Sequence, residues 1–87
     1  MSQAWMLYLI ECLDGSLYCG ITNDLARRFA MHAAGKGGRY TRSHPPRRIV
    51  ACRQFPDRSS ASIAEYQLKQ LDTAGKRAFC HAHPPPS

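Results

Sequence analysis

A chain of 87 residues is one small domain, able to bury only somewhat more than ~60% of the surface its unfolded form exposes. Hydrophobic residues make up 44%, aromatic residues 9% and charged residues 21%, a globular balance that excludes a disordered chain. Twelve Lys and Arg against six Asp and Glu give a formal charge of +6, and the Arg-dominated excess points to nucleic acid or another phosphate-bearing partner, because a guanidinium fork matches phosphate oxygens.

No apolar run approaches the ~20 residues needed to cross a bilayer, and the N-terminus lacks a secretory pattern, so no membrane is expected. Cys12, Cys19, Cys52 and Cys80 lie far apart with no CxxC pair. The expectation is a cytoplasmic protein with four reduced thiols.

Residues 5–12, "WMLYLIEC", and 17–22, "LYCGIT", are short runs rich in aromatic and branched side chains, as strands are. Asp14-Gly15 between them signals a hairpin. A two-residue turn would put Tyr8 and Tyr18 on opposite faces, whereas a three-residue loop with Gly15 left-handed would put both on one face and Tyr8 opposite Gly20. Asn23 or Asp24 then caps a helix to about Ala34, ended by "GKGG". At about 100° per residue Leu25, Phe29, His32 and Ala33 share a face, with Arg28 at its border and Arg27 pointing away. Residues 35–48 read as a Gly- and Pro-rich basic loop, 47–55 as a third strand, and 57–71 as an amphipathic helix capped by Ser59 or Ser60 with Ala61, Ala64, Leu68 and Leu71 inward. A last helix from Thr73 to about Cys80 is weakened by Gly75, and "HPPPS" reads as a frayed tail. The domain is expected to span 1–83, with 84–87 disordered.

The chain has two glutamates, and Glu65 sits mid-helix at the lip of the apolar stripe, a place suited to one divalent ion or to an ordinary exposed helix former. Tyr8 and Tyr18 are sheet aromatics unless a cation or metal favours their anion, since phenol ionises near pKa ~10. Arg28 and a metal on Glu65 would supply that. His32 either bonds a phosphate, relays a proton or is a satisfied packed histidine. Cys80, His81 and His83 are crowded into four residues and read as chance rather than as a metal set. His44 has no evident partner. Lys36, Arg39, Arg42, Arg47 and Arg48 around Tyr40 offer cations for phosphates and a ring for stacking, or simply a solvated basic loop.

Taken together these residues resemble the GIY-YIG nuclease superfamily, in particular its small stand-alone single-domain bacterial members, the UPF0213-like group. The resemblance covers about residues 4–79. Met6-Leu7-Tyr8 stands where the first family tripeptide falls and Tyr18-Cys19-Gly20 where the second does; "GKGGRYTR" is similar to the small members' Gly-Lys-Gly loop, and "AEYQLKQL" to their helix with a central glutamate. The late asparagine of longer members has no counterpart after Leu71. By this resemblance the fold is α+β, a three-stranded antiparallel sheet flanked by two to three helices, and the tyrosines share a site, which selects the three-residue loop.

The resemblance implies metal-dependent hydrolysis of nucleic-acid phosphodiesters, DNA more than RNA, with low sequence specificity. It assigns one Mg²⁺ or Mn²⁺ to Glu65, charge stabilisation to Arg28, proton removal from water to Tyr18, and orientation to Tyr8 and His32. Lys36, Arg39, Tyr40, Arg42 and Lys69 would hold the strand, with Lys69 alternatively pairing with Glu65. A role in DNA repair is compatible with the resemblance, and no obligate protein partner is evident. The alternative is a module on the same scaffold that binds nucleic acid without cutting it.

Overall fold

The computed structural model describes residues 4–85. Its centre is β1, Trp5–Cys12, flanked by β2, Leu17–Thr22, on one side and β3, Pro46–Phe55, on the other, both antiparallel to it. A central strand is covered on both faces, and residues 7–12 are accordingly all buried. Leu7 and Leu9 point to one face, where they pack with Cys19, Ala51 and Leu68. Tyr8, Ile10 and Cys12 point to the other, against Tyr18, Leu25, Phe29 and Ile49.

The hairpin has the three-residue loop. The Cys12 N–H donates to the Ser16 carbonyl at 2.9 Å, Gly15 adopts φ +86°, and Tyr8 pairs with Gly20. A positive φ at the third loop position is the geometry that glycine supplies without strain. The Asp14 carboxylate braces the turn by accepting from the Ser16 amide at 3.0 Å and the Ser16 hydroxyl at 2.6 Å.

Four helices surround the sheet: α1, Leu25–Ala33; α2, Arg39–Ser43; α3, Arg58–Lys69; and α4, Thr73–Ala82. Helix α2 lies within the stretch expected as plain loop, so there is one helix more than the expected two to three. The strongest cap on α3 is Asp57, to whose carboxylate the Ser60 amide donates at 2.8 Å, rather than Ser59 or Ser60 themselves. Gly75 does not break α4 because it falls in the first turn, where its N–H is taken by the Asp72 cap at 2.8 Å.

Two positions expected inward are exposed. Leu71 lies past the end of α3, where the helical phase no longer holds, and is 44% exposed. Ala33 is the last residue of α1 and is exposed. His83, expected in the frayed tail, is tied down: its carbonyl accepts from the Cys52 amide at 3.0 Å, and its ring packs on Phe79 with centroids 4.6 Å apart. Of the expected disordered stretch 84–87, residues 86–87 lie outside the described residues. Among the described residues no helix is long and apolar enough to cross a membrane.

Candidate active site

The site begins with an absence of side chain. The Tyr8 hydroxyl lies directly over Gly20 on the neighbouring strand, and a Cβ there would overlap it. From that position the Tyr8 hydroxyl meets His32 Nε2 at 3.1 Å, and His32 Nδ1 meets the Thr41 hydroxyl at 2.6 Å. Tyr8, His32 and Thr41 are 1%, 0% and 2% exposed, so a three-member polar chain is sealed between β1, α1 and α2. Gly37 is the second close approach: its α-carbon sits against the His32 ring, where a Cβ would collide with the imidazole.

Burial pushes the Tyr8 phenol up to about 12, against the opposing influence of Arg28, and burial together with Arg28 lowers the His32 pKa. Tyr8 is therefore a protonated phenol and His32 a neutral imidazole at pH 7. One ring nitrogen of His32 donates and the other accepts, so one of the flanking hydroxyls gives its proton to the ring and the other receives one.

Arg28 holds the loop to the helix. Its Nη2 donates to the Gly37 carbonyl at 2.9 Å, and its charge opposes the rise in the Tyr8 pKa. Arg28 is half-buried and Arg27 exposed, the inequivalence expected from the helical phase. The two arginines line a hollow of about 180 Å³ with Thr22, Asn23, Asp24 and Met31 at the start of α1.

Tyr18 stands outside the sealed chain. Its ring packs edge-on to His32 at 5.0 Å and lies 6.5 Å from Tyr8, so the buried pair fixes its position. Strand β2 is an edge strand, and beyond Tyr18 opens a groove of about 220 Å³ lined by Leu17, Tyr18, Cys19, Tyr40, Lys69 and Lys76. Two sets of elements reach this groove. Helix α2 brings Tyr40, stacked on Tyr18 at 5.7 Å and 29°. From the other face α3 brings Lys69, and α4 brings Lys76. Glu65 is reached through Lys69, whose Nζ stands 3.4 Å from Oε2 of Glu65, one helical turn earlier. The charges of Glu65, Lys69 and Lys76 all bear on Cys19, next to Tyr18; burial is the larger influence on that thiol and pushes it up to about 12.

The structure thus joins Tyr8, Tyr18 and His32 in one cluster, places Arg28 beside it on the Gly37 loop and the hollow at the start of α1 rather than in the groove lining, and connects Glu65 to the groove edge by way of Lys69. Tyr8 and His32 are closed to solvent, so their reach is to Tyr18 rather than to a phosphate. Lys36, Arg39 and Arg42 are exposed on the loop and on α2. Tyr40 presents less free ring than expected, because His44 stacks on it at 4.1 Å and 8°. His44 is in fact well partnered: its Nδ1 bonds the Tyr40 carbonyl at 3.0 Å, and its Nε2 lies 3.7 Å from the Asp14 carboxylate. Among the described residues no group of three or more His, Cys, Asp or Glu is placed to hold a metal, which includes Cys80, His81 and His83.

Thr41, Gly37 and Lys76 were not singled out by the sequence, and His44 was named without a role. Only the Gly37-Gly38 pair carried any signal, as a site of close backbone approach. The second glutamate, Glu11, is structural. Arg77 Nη1 at 3.0 Å and Arg48 Nε at 3.3 Å clamp it, tying β1 to β3 and α4 and holding its carboxyl below the usual range.

A hairpin with two facing tyrosines, a helix that returns an arginine and a histidine, and a later helix with a half-shielded glutamate define a GIY-YIG domain. The family model described as the GIY-YIG catalytic domain matches residues 4–78, and the chain belongs to that family, a nuclease superfamily. It is 51% identical over 80 residues to a UPF0213 protein of Cupriavidus pinatubonensis, covering 92% of this chain and 89% of that one. It is 54% identical over 82 residues to a UPF0213 protein of Xanthomonas axonopodis pv. citri, covering 94% and 80%. The solution NMR structure of a UPF0213 protein from Bacillus halodurans superposes with a TM-score of 0.60 at 40% identity, covering 95% of this chain and 88% of that one.

Nucleases of this family commonly use a divalent ion, and the donors here fit one kind. Glu65 offers one carboxylate whose side chain is 21% exposed and which pairs with Lys69, a residue of the groove lining. A hard ion that keeps most of its waters and takes the rest of its ligands from substrate phosphate needs no more. A closed tetrahedral site has no counterpart among the described residues.

Proposed function

We propose that the protein is a divalent-metal-dependent endonuclease that hydrolyses phosphodiester bonds in nucleic acid, DNA more than RNA, with low sequence specificity. The reading rests on one observation: Tyr18 forms the wall of an open groove while its inner side is braced by the sealed Tyr8–His32–Thr41 chain. A group held this firmly by packing and facing an open basic groove is pre-organised for substrate.

Tyr18 acts as its phenolate, its own proton having passed to solvent through the open groove: it takes a proton from the attacking water, Arg28 stabilises the charge that builds on the phosphate, and the departing oxygen takes a proton from solvent. Tyr8 and His32 act through Tyr18 as positioning residues. Glu65 is the residue that would hold Mg²⁺ or Mn²⁺, which supplies Lewis-acid stabilisation to the phosphate when bound. Lys69, Tyr40 and the exposed Lys36, Arg39 and Arg42 hold the strand by phosphate contact and ring contact, which carries little base information in a domain this small. Low specificity follows. A cytoplasmic role in DNA repair is compatible with such an enzyme.

The test is cleavage of labelled DNA and RNA oligonucleotides by the purified chain with Mg²⁺, Mn²⁺ or EDTA, alongside Tyr18→Phe and Glu65→Gln. Metal-dependent cutting that both substitutions abolish is expected; cutting that survives both would refute the assignment. One observation favours a second reading, a module that binds without cutting: the sole candidate metal carboxylate already has an ammonium partner. Salt-sensitive binding with no metal-dependent cleavage would select it.

A further inference from the structure

Glu11 and Glu65 are held very differently. Glu11 is gripped by two guanidinium groups from two other elements, and neither of its oxygens is spare. Glu65 has a single ammonium 3.4 Å from one oxygen, supplied from four residues along its own helix. A Glu-to-Lys pair at this spacing is a weak tie, and the Lys69 side chain is 53% exposed on a flexible four-carbon stem. The same Lys69 lines the groove beside Tyr18, Tyr40 and Lys76. Its ammonium therefore has two acceptors within range of its stem: the Glu65 carboxylate and any anion that enters the groove.

A divalent cation and an ammonium cannot sit on one carboxylate at close range without strong repulsion. Resting on the metal-dependent reading above, we propose that Lys69 is a displaceable counter-ion: it neutralises Glu65 while no divalent ion is bound, and when one binds it turns into the groove and takes a substrate phosphate oxygen alongside Lys76. Metal loading and phosphate binding are then coupled through one side chain. Lys76 has Asp72 four residues earlier, but that carboxylate caps α4 by accepting from the Gly75 amide at 2.8 Å, and Lys76 serves the phosphate in both states. Lysine suits the exchange because its charge is compact and its stem mobile. An arginine would grip the carboxylate with a planar fork and yield it less readily.

The experiment uses the full chain and Mn²⁺ alone, titrated at low ionic strength by electron paramagnetic resonance or calorimetry, without nucleic acid. Losing the competitor, Lys69→Met binds Mn²⁺ about three- to fivefold more tightly than the parent. Lys76→Met, which removes the same charge from the same groove, changes affinity by less than about twofold, Lys69→Arg weakens it, and Glu65→Gln abolishes it. A second arm measures oligonucleotide binding in EDTA. There Lys69→Met loses less affinity than Lys76→Met, which loses about threefold or more, since the Lys69 ammonium is engaged by Glu65.

Equal tightening by Lys69→Met and Lys76→Met would reduce the effect to net charge and overturn the proposal. So would an EDTA binding loss in Lys69→Met as large as in Lys76→Met. Glu65-dependent Mn²⁺ binding that Lys69→Met leaves unchanged overturns the counter-ion role alone. Mn²⁺ binding that is absent, or indifferent to Glu65, overturns the metal reading and the counter-ion role with it.

Discussion

The two faces of the sheet bury similar amounts of chain by different means. On the α3 and α4 face, Leu7, Leu9, Ala51 and Leu68 pack as an apolar layer in which no atom needs a directed partner. On the α1 and α2 face, the comparable depth is filled by Tyr8, His32 and Thr41, whose polar atoms are satisfied only in one arrangement. An apolar layer tolerates rearrangement at constant volume; a closed hydrogen-bond chain does not. The first face supplies stability to an 87-residue domain that has little to spare, and the second spends part of its burial on fixing Tyr18 at the groove wall. The groove lies at the edge strand β2, where elements from both faces meet.

Substitutions that separate these two duties test the comparison. The largest effect belongs to the groove: Tyr18→Phe and Glu65→Gln each lower the cleavage rate about 10²- to 10⁴-fold, while the folding stability read from urea titrations shifts by less than about 0.5 kcal/mol. A parallel loss of stability would mean that these side chains belong to the scaffold. Next comes the apolar face. Leu9→Ala, at a site with no exposure, costs about 2–5 kcal/mol of folding stability, yet the rate per folded molecule stays at the parent value. A changed rate in the folded fraction would show that the two faces are not independent.

Tyr8→Phe sits between the two, since it strikes both stability and geometry. Removing the hydroxyl leaves His32 Nε2 without its buried partner, at a cost of about 1–3 kcal/mol. The wild-type contribution is also pH-dependent, with a sign that the phenol determines. The unfolded chain ionises Tyr8 near 10.0 and the folded chain near about 12, so the contribution is intact below the first value and is lost as pH climbs to the second. The stability gap between parent and Tyr8→Phe therefore shrinks from pH 9.5 to 11.5, by about 1–2 kcal/mol, in urea titrations. A gap that stays constant would mean that the hydroxyl is hydrated.

Much of this was legible in the residues, for reasons that differ by element. The strands and helices α1 and α3 carry clear periods, and Asp14-Gly15 with the two tyrosines fixed the hairpin once a shared site was assumed. Helix α2 was not legible: five residues between glycines and a proline pair have no period, and their order comes from Thr41 and Gly37 docking on α1. The partners of His44 were not legible for the same reason, since Asp14 and Tyr40 reach it by tertiary contact. The burial of Tyr8 and His32 was likewise beyond a helical wheel. The wheel places His32 inward, but only the loop that folds over it closes the site to water.

The smallest expected effect concerns where α3 ends. By the helical phase Leu68 and Leu71 belong to one stripe, yet Leu68 is 3% exposed and Leu71 is 44% exposed, because regular helix stops at Lys69 and Gln70 caps it. Leu68→Ala therefore falls in the range of other core leucines, about 2–5 kcal/mol, whereas Leu71→Ala removes atoms that already face water in large part and costs less than about 1 kcal/mol. The contrast is read from paired chemical denaturation curves with a common slope. Equal costs at the two positions would place Leu71 in the apolar layer and extend α3 by half a turn. That extension would also move Lys69 off the helix end, where its stem has the freedom to leave Glu65.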